Sequence, residues 1–510
     1  MIKETENNKR IIKNTVFLYI RMIFLMGISL YTSRVVLNVL GIEDYGIYNV
    51  VSGLITMFSL ISASISTSIS RFLTYELGHG DTKKLNLLFC TAINIQAIMA
   101  LLVFVAIEII GFWFLNYKMT IPPERISAAN WVFQCSMLTF VINLFSVPYN
   151  ALIIAHERMK AFANVGIMEG LLKLLVAYLL ILATLDKLKI YALLMLTVAV
   201  LIRLIYGVYC GRHFSESHYH FVYNKSIMRE MATFAGWNYV GTAAWLFRGQ
   251  GLNLLINLFF GPAVNAARGL ATQVETTIHQ FVSNFTTALK PQIIKNYANG
   301  NKEYMYGLVN KGAKYSFFLM LVISIPIVYE APLLLSLWLK TVPDHTVVFL
   351  RLTMIYSALQ TLSSTLIISM QASSDIKKYQ LTCGCLSLLI VPISYLLYSL
   401  GSNAEMCYIV CIIMELCLLF ARLFLLESMI GLSKHNYFKE VILKITPVTA
   451  VCFAFPILFC VFWQDGIYRL AALSFLSITF SLLIIYILGL DKEERTFLKE
   501  RLRKYRNLKK

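Results

Sequence analysis

Runs of about 20 apolar residues recur along the whole chain, and this pattern restricts the fold more than any other feature of the sequence. A run of this length can cross the hydrocarbon core of a bilayer as an α-helix. Short charged or Gly/Pro-containing segments separate the runs, and only 14% of the 510 residues are charged, whereas soluble domains have about 25%. The chain is therefore expected to be an all-α, polytopic membrane protein without a large soluble domain.

The apolar runs predict about fourteen transmembrane spans, which we number in chain order. They cover residues 15–40, 44–72, 85–115, 124–154, 160–184, 190–211, 228–259, 263–289, 307–338, 343–372, 379–400, 405–427, 441–463 and 467–489. An even number places both termini on one side. Of the 45 Lys and Arg residues, 31 lie in the N-terminus, the loops on its side and the tail, and six lie in the opposite loops. The positive-inside rule therefore places both termini in the cytoplasm.

Charged residues within the spans are functional candidates, because burying a charge in hydrocarbon is costly. Eight basic residues lie there, namely Arg21, Arg34, Lys173, Arg203, Arg248, Arg268, Arg351 and Arg422. Five acidic residues accompany them, namely Glu108, Glu169, Glu275, Glu330 and Glu415. Pairing alone cannot neutralise every charge. No cofactor is expected, and the ten cysteines lie in apolar runs without metal-ligand spacing.

An internal repeat appears when the sequence is shifted against itself by 220 residues without a gap. Gly41 then aligns with Gly261, and Gly80 aligns with Gly300. The shift spans six helices, so both copies have the same orientation in the membrane. We therefore predict a six-helix lobe at 1–215, a second at 216–430, a pseudo-twofold axis along the membrane normal, two additional helices at 431–490 and a basic cytoplasmic tail at 491–510.

Spans 2 and 8 carry polar faces at equivalent positions of the repeat. The candidate cavity-lining residues are Ser59, Ser62, Ser66 and Ser70 in span 2, and Glu275, His279, Asn284 and Thr287 in span 8. Two such faces predict a water-filled cavity between the lobes. The alternative is close helix packing, because small hydroxylated residues let membrane helices approach each other.

The segment NTVFLYIRMIFLMGISLYTSRVVLNVLGIEDYGIYNVVSGLITMFS, followed by RFLTYELG, resembles the start of Wzx-type polysaccharide flippases. These belong to the multidrug/oligosaccharidyl-lipid/polysaccharide (MOP) exporter superfamily. The resemblance implies transport of undecaprenyl-pyrophosphate-linked oligosaccharides from the cytoplasmic to the periplasmic leaflet of the bacterial inner membrane. It also implies a non-enzymatic protein, with membrane lipids and a polysaccharide polymerase or chain-length protein as partners.

Arginines of the inner repeat helices are the candidates for the pyrophosphate, because the guanidinium group binds phosphate in a bidentate manner. We nominate Arg21, Arg34, Arg248 and Arg268 for the phosphates, and Arg71 and Lys290 for the cavity entrance. Structural alternatives exist for three of the intramembrane cations. Arg34 could extend to the membrane surface, Arg268 could pair with Glu275, and Lys173 has the i, i+4 spacing for an ion pair with Glu169. Arg203, Arg351 and Arg422 are expected to be structural.

Four other functions fit the sequence less well. A MATE-like drug or cation antiporter typically needs an acidic residue in its first helix, and residues 15–40 contain none. A membrane glycosyltransferase or polymerase needs a long outer loop, and the longest predicted one has about ten residues. The histidine cluster HFSESHYH (213–220) lacks a convincing metal-ligand set. The basic tail is expected to contact lipid headgroups rather than nucleic acid.

Overall fold

The structure is a computed structural model and describes residues 2–56, 58–117, 122–339, 342–373, 375–463, 466–496 and 499. Within these ranges all long elements are helices, which confirms the all-α prediction. They are α1 (Ile2–Thr56), α2 (Ser59–His79), α3 (Thr82–Tyr117), α4 (Ile126–Ala155), α5 (Met159–Ile181), α6 (Lys187–His213), α7 (Lys225–Ala298), α8 (Lys302–Tyr329), α9 (Ala331–Trp338), α10 (Thr346–Ala372), α11 (Lys377–Leu388), α12 (Ile390–Ser399), α13 (Met406–Ile430), α14 (Lys434–Tyr437), α15 (Leu443–Phe462) and α16 (Ile467–Ile484). The predicted basic tail at 491–510 falls mostly outside the described residues.

Eleven helical segments in the described part are long and apolar enough to cross a membrane. They correspond one to one with eleven of the fourteen predicted spans. The other three, 44–72, 228–259 and 263–289, lie in α1, α2 and α7 and are also helical where the structure describes them. Their hydroxyl, amide and charged side chains make them less apolar than the rest. Spans 2, 7 and 8, two of which were predicted to have polar faces, are thus the least membrane-like in composition.

Glycines divide the two longest helices. α1 is kinked at Gly41 and α7 at Gly261, where the backbone leaves the helical conformation. Two helix interruptions next to prolines were not predicted, because spans 307–338 and 379–400 were each expected to be one helix. Pro332 follows the α8–α9 junction, and Pro392 lies just after the junction of α11 and α12. Proline has no backbone N–H and its ring clashes with the carbonyl four residues earlier, so a helix is interrupted at such positions.

Unit 1, one of two compact units, contains residues 1–243 and 287–302. Its apolar core includes Phe133, Met137 and Leu188, which are fully buried. A polar cluster closes one end of this unit around Glu157, whose side chain is 1% exposed. Glu157 accepts hydrogen bonds from Gln292 Nε2 at 2.6 Å and Lys295 Nζ at 2.9 Å. The end of α7 is therefore fixed to the loop between α4 and α5.

Unit 2 contains residues 244–286 and 303–510. Its core is built around Phe349, Met354 and Ile390, all fully buried. Polar contacts attach the additional C-terminal segments to α8 and to Glu330, which follows α8 directly. Lys314 Nζ contacts both oxygens of Glu494 at 3.0 and 2.9 Å, and Glu330 pairs with Arg469. The helices after residue 430 are thus an integral part of this unit.

Candidate functional site

Four of the eight intramembrane basic residues have structural partners. Lys173 Nζ lies 2.6 Å from Glu169 Oε1, which confirms the predicted i, i+4 ion pair. Arg422 Nη1 lies 2.6 Å from Glu415 Oε1. Arg351 Nε donates to the Val328 carbonyl at 2.9 Å, and the Arg203 guanidinium lies 4.0 Å from the centre of the Tyr149 ring. Arg203, Arg351 and Arg422 therefore have the structural contacts that the sequence predicted, whereas the Lys173–Glu169 pair lies within α5.

None of the four nominated arginines has a carboxylate partner of this kind within the part of the chain that the structure describes. Among the described residues, Arg21, Arg248 and Arg268 form no ion pair. Arg248 and Arg268 are nevertheless only 7% and 8% exposed. Arg34, the fourth nominee, is exposed on α1. Because a buried cation without an ion pair is costly, the guanidinium groups of Arg248 and Arg268 favour an anionic ligand, and half-buried Arg21 does so to a smaller extent.

In unit 1, Arg21 of the first helix packs against α5. The guanidinium of Arg21 stacks 4.1 Å from the centre of the Phe162 ring. It also lies directly on the backbone of Gly166, where an added Cβ would clash with Arg21 Nε. This approach is possible only because residue 166 has no side chain. Among the residues that the structure describes, the buried Arg21 Nε has no hydrogen-bond partner.

In unit 2, α7, α10 and α13 supply the surroundings of Arg248. Its guanidinium carbon lies 5.5 Å from the centre of the Tyr356 ring. The next residue, Ser357, donates its hydroxyl to Glu275 Oε1 at 3.0 Å, and Glu275 interacts electrostatically with Arg248. Two predicted site residues, Arg248 and Glu275, therefore belong to one cluster.

Arg268 has a different partner from the one considered in the sequence. Its Nη1 donates to Asn253 Oδ1 across the kink in α7, and its buried Nε has no hydrogen-bond partner in the described ranges. Glu275 instead accepts the Ser357 hydroxyl. Seven residues separate Arg268 from Glu275, so the two lie on similar sides of the helix but two turns apart. The alternative of an Arg268–Glu275 ion pair is therefore wrong for this structure.

The two proposed entrance residues have different environments. Arg71 is 3% exposed, and its guanidinium lies 4.5 to 5.5 Å from the ring centres of Phe72, Tyr75 and Phe234. Cation–π contacts of this kind stabilise a desolvated guanidinium. Lys290 is half-buried in α7. Arg71 is thus enclosed by aromatic rings within unit 1.

The polar face of α2 is exposed to different extents along its length. Ser59 is exposed, Ser62 and Ser66 are half-buried, and Ser70 is buried. Toward the end of the helix, Ser68 donates to the Met231 carbonyl at 2.9 Å. Close packing therefore uses the end of this face, whereas its beginning remains partly accessible. In α7, Glu275, His279, Asn284 and Thr287 are all half-buried, and the buried His279 Nε2 has no hydrogen-bond partner in the described part of the protein.

The histidine-rich segment 213–220 forms hydrogen bonds with nearby residues. His213 and His218 use Nδ1 with backbone carbonyls, each at 2.9 Å, and Glu216 pairs with His156. Burial raises the pKa of Glu216, but hydrogen bonds, chiefly that of His156, outweigh this effect and lower the pKa below its usual value. No group of three or more potential metal ligands occurs among the described residues.

The sequence model of the polysaccharide biosynthesis protein family matches residues 11–297, which is more than half of the chain. The chain belongs to this family. No curated protein matches the sequence. The family match includes Arg21, Arg248 and Arg268 together with the first copy of the repeat.

Solved structures give the fold of this polysaccharide biosynthesis protein. A multidrug resistance MATE family transporter of the MOP superfamily, in an outward-facing conformation, matches with a TM-score of 0.73 and 13% identity over 84% of this chain and 97% of that one. A MATE transporter in a bent conformation gives 0.71, with 13% identity over 83% and 96%. A Pyrococcus furiosus MOP superfamily transporter, described by the reverse polarity of its binding pocket, gives 0.66, with 14% identity over 82% and 95%. The chain is therefore a multi-pass membrane protein of the polysaccharide biosynthesis family whose fold is similar to that of these transporters.

The contact between α5 and Arg21 was not predicted from the sequence. Phe162, Gly166, Glu169, Gly170 and Lys173 follow each other at three- or four-residue spacing and share one helix face. At Gly170 an added Cβ would be 2.6 Å from Leu25 Cδ2. The signal was the Gly-x-x-x-Gly pattern at 166–170, which permits close approach of two membrane helices.

Proposed function

We propose that the protein is a flippase that moves undecaprenyl-pyrophosphate-linked oligosaccharide from the cytoplasmic to the periplasmic leaflet of the bacterial inner membrane by alternating access. The observation that supports this most is that three arginines, half-buried Arg21 and buried Arg248 and Arg268, form no ion pair within the described part of the chain. A pyrophosphate headgroup cannot cross hydrocarbon unaided, whereas its isoprenoid tail can stay in the lipid. Guanidinium groups in a partly dry site provide the matching charge.

The family supports a substrate from polysaccharide synthesis, because its model matches the chain and is described as a polysaccharide biosynthesis protein. The fold supports transport. Half-buried hydroxyl and amide side chains such as Ser62, Ser66 and Asn284 suit sugar hydroxyls. The sign of the unpaired buried charges argues against cationic drugs as substrates, so the antiporter alternative is less well supported.

The test uses a strain that lacks the gene and is complemented with variants. Arg21→Ala and Arg248→Ala should abolish surface polysaccharide at normal membrane levels of the protein, and lipid-linked precursor should accumulate on the cytoplasmic face. Loss of one charged phosphate contact costs about 1.5–3 kcal/mol, roughly 10- to 150-fold in affinity. Lys replacements keep the charge but not the planar fork, so they should restore only part of the export.

Arg212→Ala is the matched control, because Arg212 is exposed at the end of α6. This variant should export at the wild-type rate. Wild-type export by both Arg21→Ala and Arg248→Ala would show that the buried guanidinium groups do not hold the substrate.

A further inference from the structure

A cavity of about 400 Å³ lies entirely within unit 1. α1, α5 and α6 form its walls. Small-molecule sites usually have volumes of about 300–1,000 Å³. The polar residues that line the cavity include Arg21, Thr32, Tyr48, Glu169, Lys173 and Tyr191.

Two donors in this cavity are buried and unused. Arg21 Nε and Thr32 Oγ1 have no hydrogen-bond partner within the described part of the chain. A buried donor without a partner costs free energy, so such groups are usually retained where a ligand or water supplies the acceptor. The ring of Phe162 and the backbone of Gly166 fix the Arg21 guanidinium in place. Arg21 Nε and Thr32 Oγ1 are therefore preformed donors for an anionic ligand.

Two cations and one acid line the cavity. Arg21 and Lys173 are the cations, and Glu169 is the one acid among the described lining residues. The Lys173–Glu169 pair is only partly shielded, with side chains 41% and 38% exposed. Ion pairs this exposed are weak. Lys173 can therefore exchange Glu169 for a stronger anionic partner at little cost.

We propose that this cavity binds the phosphate-bearing end of the lipid-linked substrate, with Glu169 as an internal counter-ion that competes with the phosphate for Lys173. This proposal rests on the proposed function and specifies one of its binding sites. In the empty state Glu169 neutralises Lys173 and leaves Arg21 to attract the anion. In the bound state the phosphate takes both cations, and Glu169 then favours release. A transporter needs this balance, since a ligand held too tightly cannot leave.

The experiment measures binding to the full-length protein in nanodiscs of phosphatidylcholine, which has no net charge to compete. Farnesyl pyrophosphate and inorganic pyrophosphate are the two probes, and calorimetry gives their affinities. Glu169→Gln should bind farnesyl pyrophosphate about 2- to 5-fold more tightly, the factor expected for a partly exposed ion pair. Lys173→Met should bind it more weakly. Unchanged or weaker binding by Glu169→Gln, or unchanged binding by Lys173→Met, would overturn the proposal.

Glu108→Gln is the matched control, because Glu108 is an intramembrane acid of the same unit that accepts a hydrogen bond from Gln134 at 2.8 Å outside the cavity. It should not change either affinity. Gly166→Ala provides a second variant with all charges intact. Its added Cβ must displace the Arg21 guanidinium, so binding should weaken, whereas Gly211→Ala, which has open space around it, should have no effect.

The two probes separate a lipid-linked ligand from a free phosphate compound. Farnesyl pyrophosphate should bind more tightly than inorganic pyrophosphate; the reverse order would show a site for soluble anions and overturn the proposal. The outcome is independent of the export test. Loss of export in Arg21→Ala and Arg248→Ala together with unchanged binding in Glu169→Gln would support the flippase and refute the counter-ion.

Discussion

Gly41 and Gly261 have the same unusual backbone conformation, with φ 81° and ψ 170° at Gly41 and φ 81° and ψ 178° at Gly261. The two residues are 220 positions apart, which is the shift that aligns the sequence with itself. A second pair at the same distance, Gly80 and Gly300, also has positive φ, at 82° and 74°. The local repeat inferred from sparse identities is therefore confirmed in the backbone at both glycine positions.

Alanine at either kink should destabilise the protein. The conformation at Gly41 and Gly261 is essentially restricted to glycine, and a side chain there costs about 1–3 kcal/mol. We expect Gly41→Ala and Gly261→Ala to lower the thermal midpoint of the purified protein. Gly46→Ala and Gly269→Ala are the controls, because these helical glycines have free space and no positive φ. They should be neutral or stabilising, since alanine favours helix. Similar losses at all four positions would show that the kinks carry no special strain.

Much of the fold could be predicted because hydropathy and helix length are local properties of the sequence. The interruptions before Pro332 and Pro392 were also local signals, but they were masked by the continuous apolar runs around them. The partners of the buried charges could not be predicted. Arg469 pairs with Glu330 across 139 positions of the chain, and no periodicity links such distant residues.

The candidate site divides in the same way. Residue type and depth in the membrane identified Arg21, Arg248 and Arg268 as candidates, and i, i+4 spacing identified the Lys173–Glu169 pair. The cavity around Arg21 required packing information. It depends on how closely α1 approaches Gly166, and that distance follows from three-dimensional contacts between helices rather than from composition.

The distribution of basic residues predicts the orientation of the protein in the membrane. Reporter fusions after residues 118 and 187 should show periplasmic activity, whereas fusions after residues 84 and 302 should show cytoplasmic activity. Paired alkaline phosphatase and green fluorescent protein fusions report the two locations. Inverted results at two of the four sites would refute the assignment of cytoplasmic termini.

Water access to the polar faces of α2 and α7 can be tested with single cysteines in a background without native cysteines. Cysteines at Ser62, Ser66 and Asn284, which are half-buried, should react with a small water-soluble thiol reagent. Cysteines at Ile65 and Ile69, which are buried on α2, should not. The reason is that only a hydrated face lets the reagent reach a thiolate. Equal protection of all five would favour close packing over a cavity.

Removing one partner of the ion pair between Glu330 and Arg469 should weaken the attachment of the C-terminal helices. Arg469 Nε lies 2.8 Å from Glu330 Oε1, and Arg469 Nη2 lies 3.1 Å from Glu330 Oε2. The two side chains are 10% and 0% exposed. Removing one partner of a buried pair leaves an uncompensated charge and costs about 3–5 kcal/mol. We therefore expect Arg469→Ala to lower the free energy of unfolding, measured by titration with sodium dodecyl sulfate, by about that amount.

Further variants distinguish the ion pair from simple loss of packing. Arg469→Lys keeps the charge without the bidentate geometry and should recover part of the stability. The double variant Glu330→Leu/Arg469→Met removes both charges and should be close to wild type, because apolar replacements of a buried pair are often neutral. Lys434→Ala breaks the exposed Lys434–Glu427 pair, at 2.8 Å, and should leave the free energy of unfolding unchanged. A double variant as unstable as Arg469→Ala would mean that the shape of the two side chains, rather than their charge, holds α16 to the end of α8.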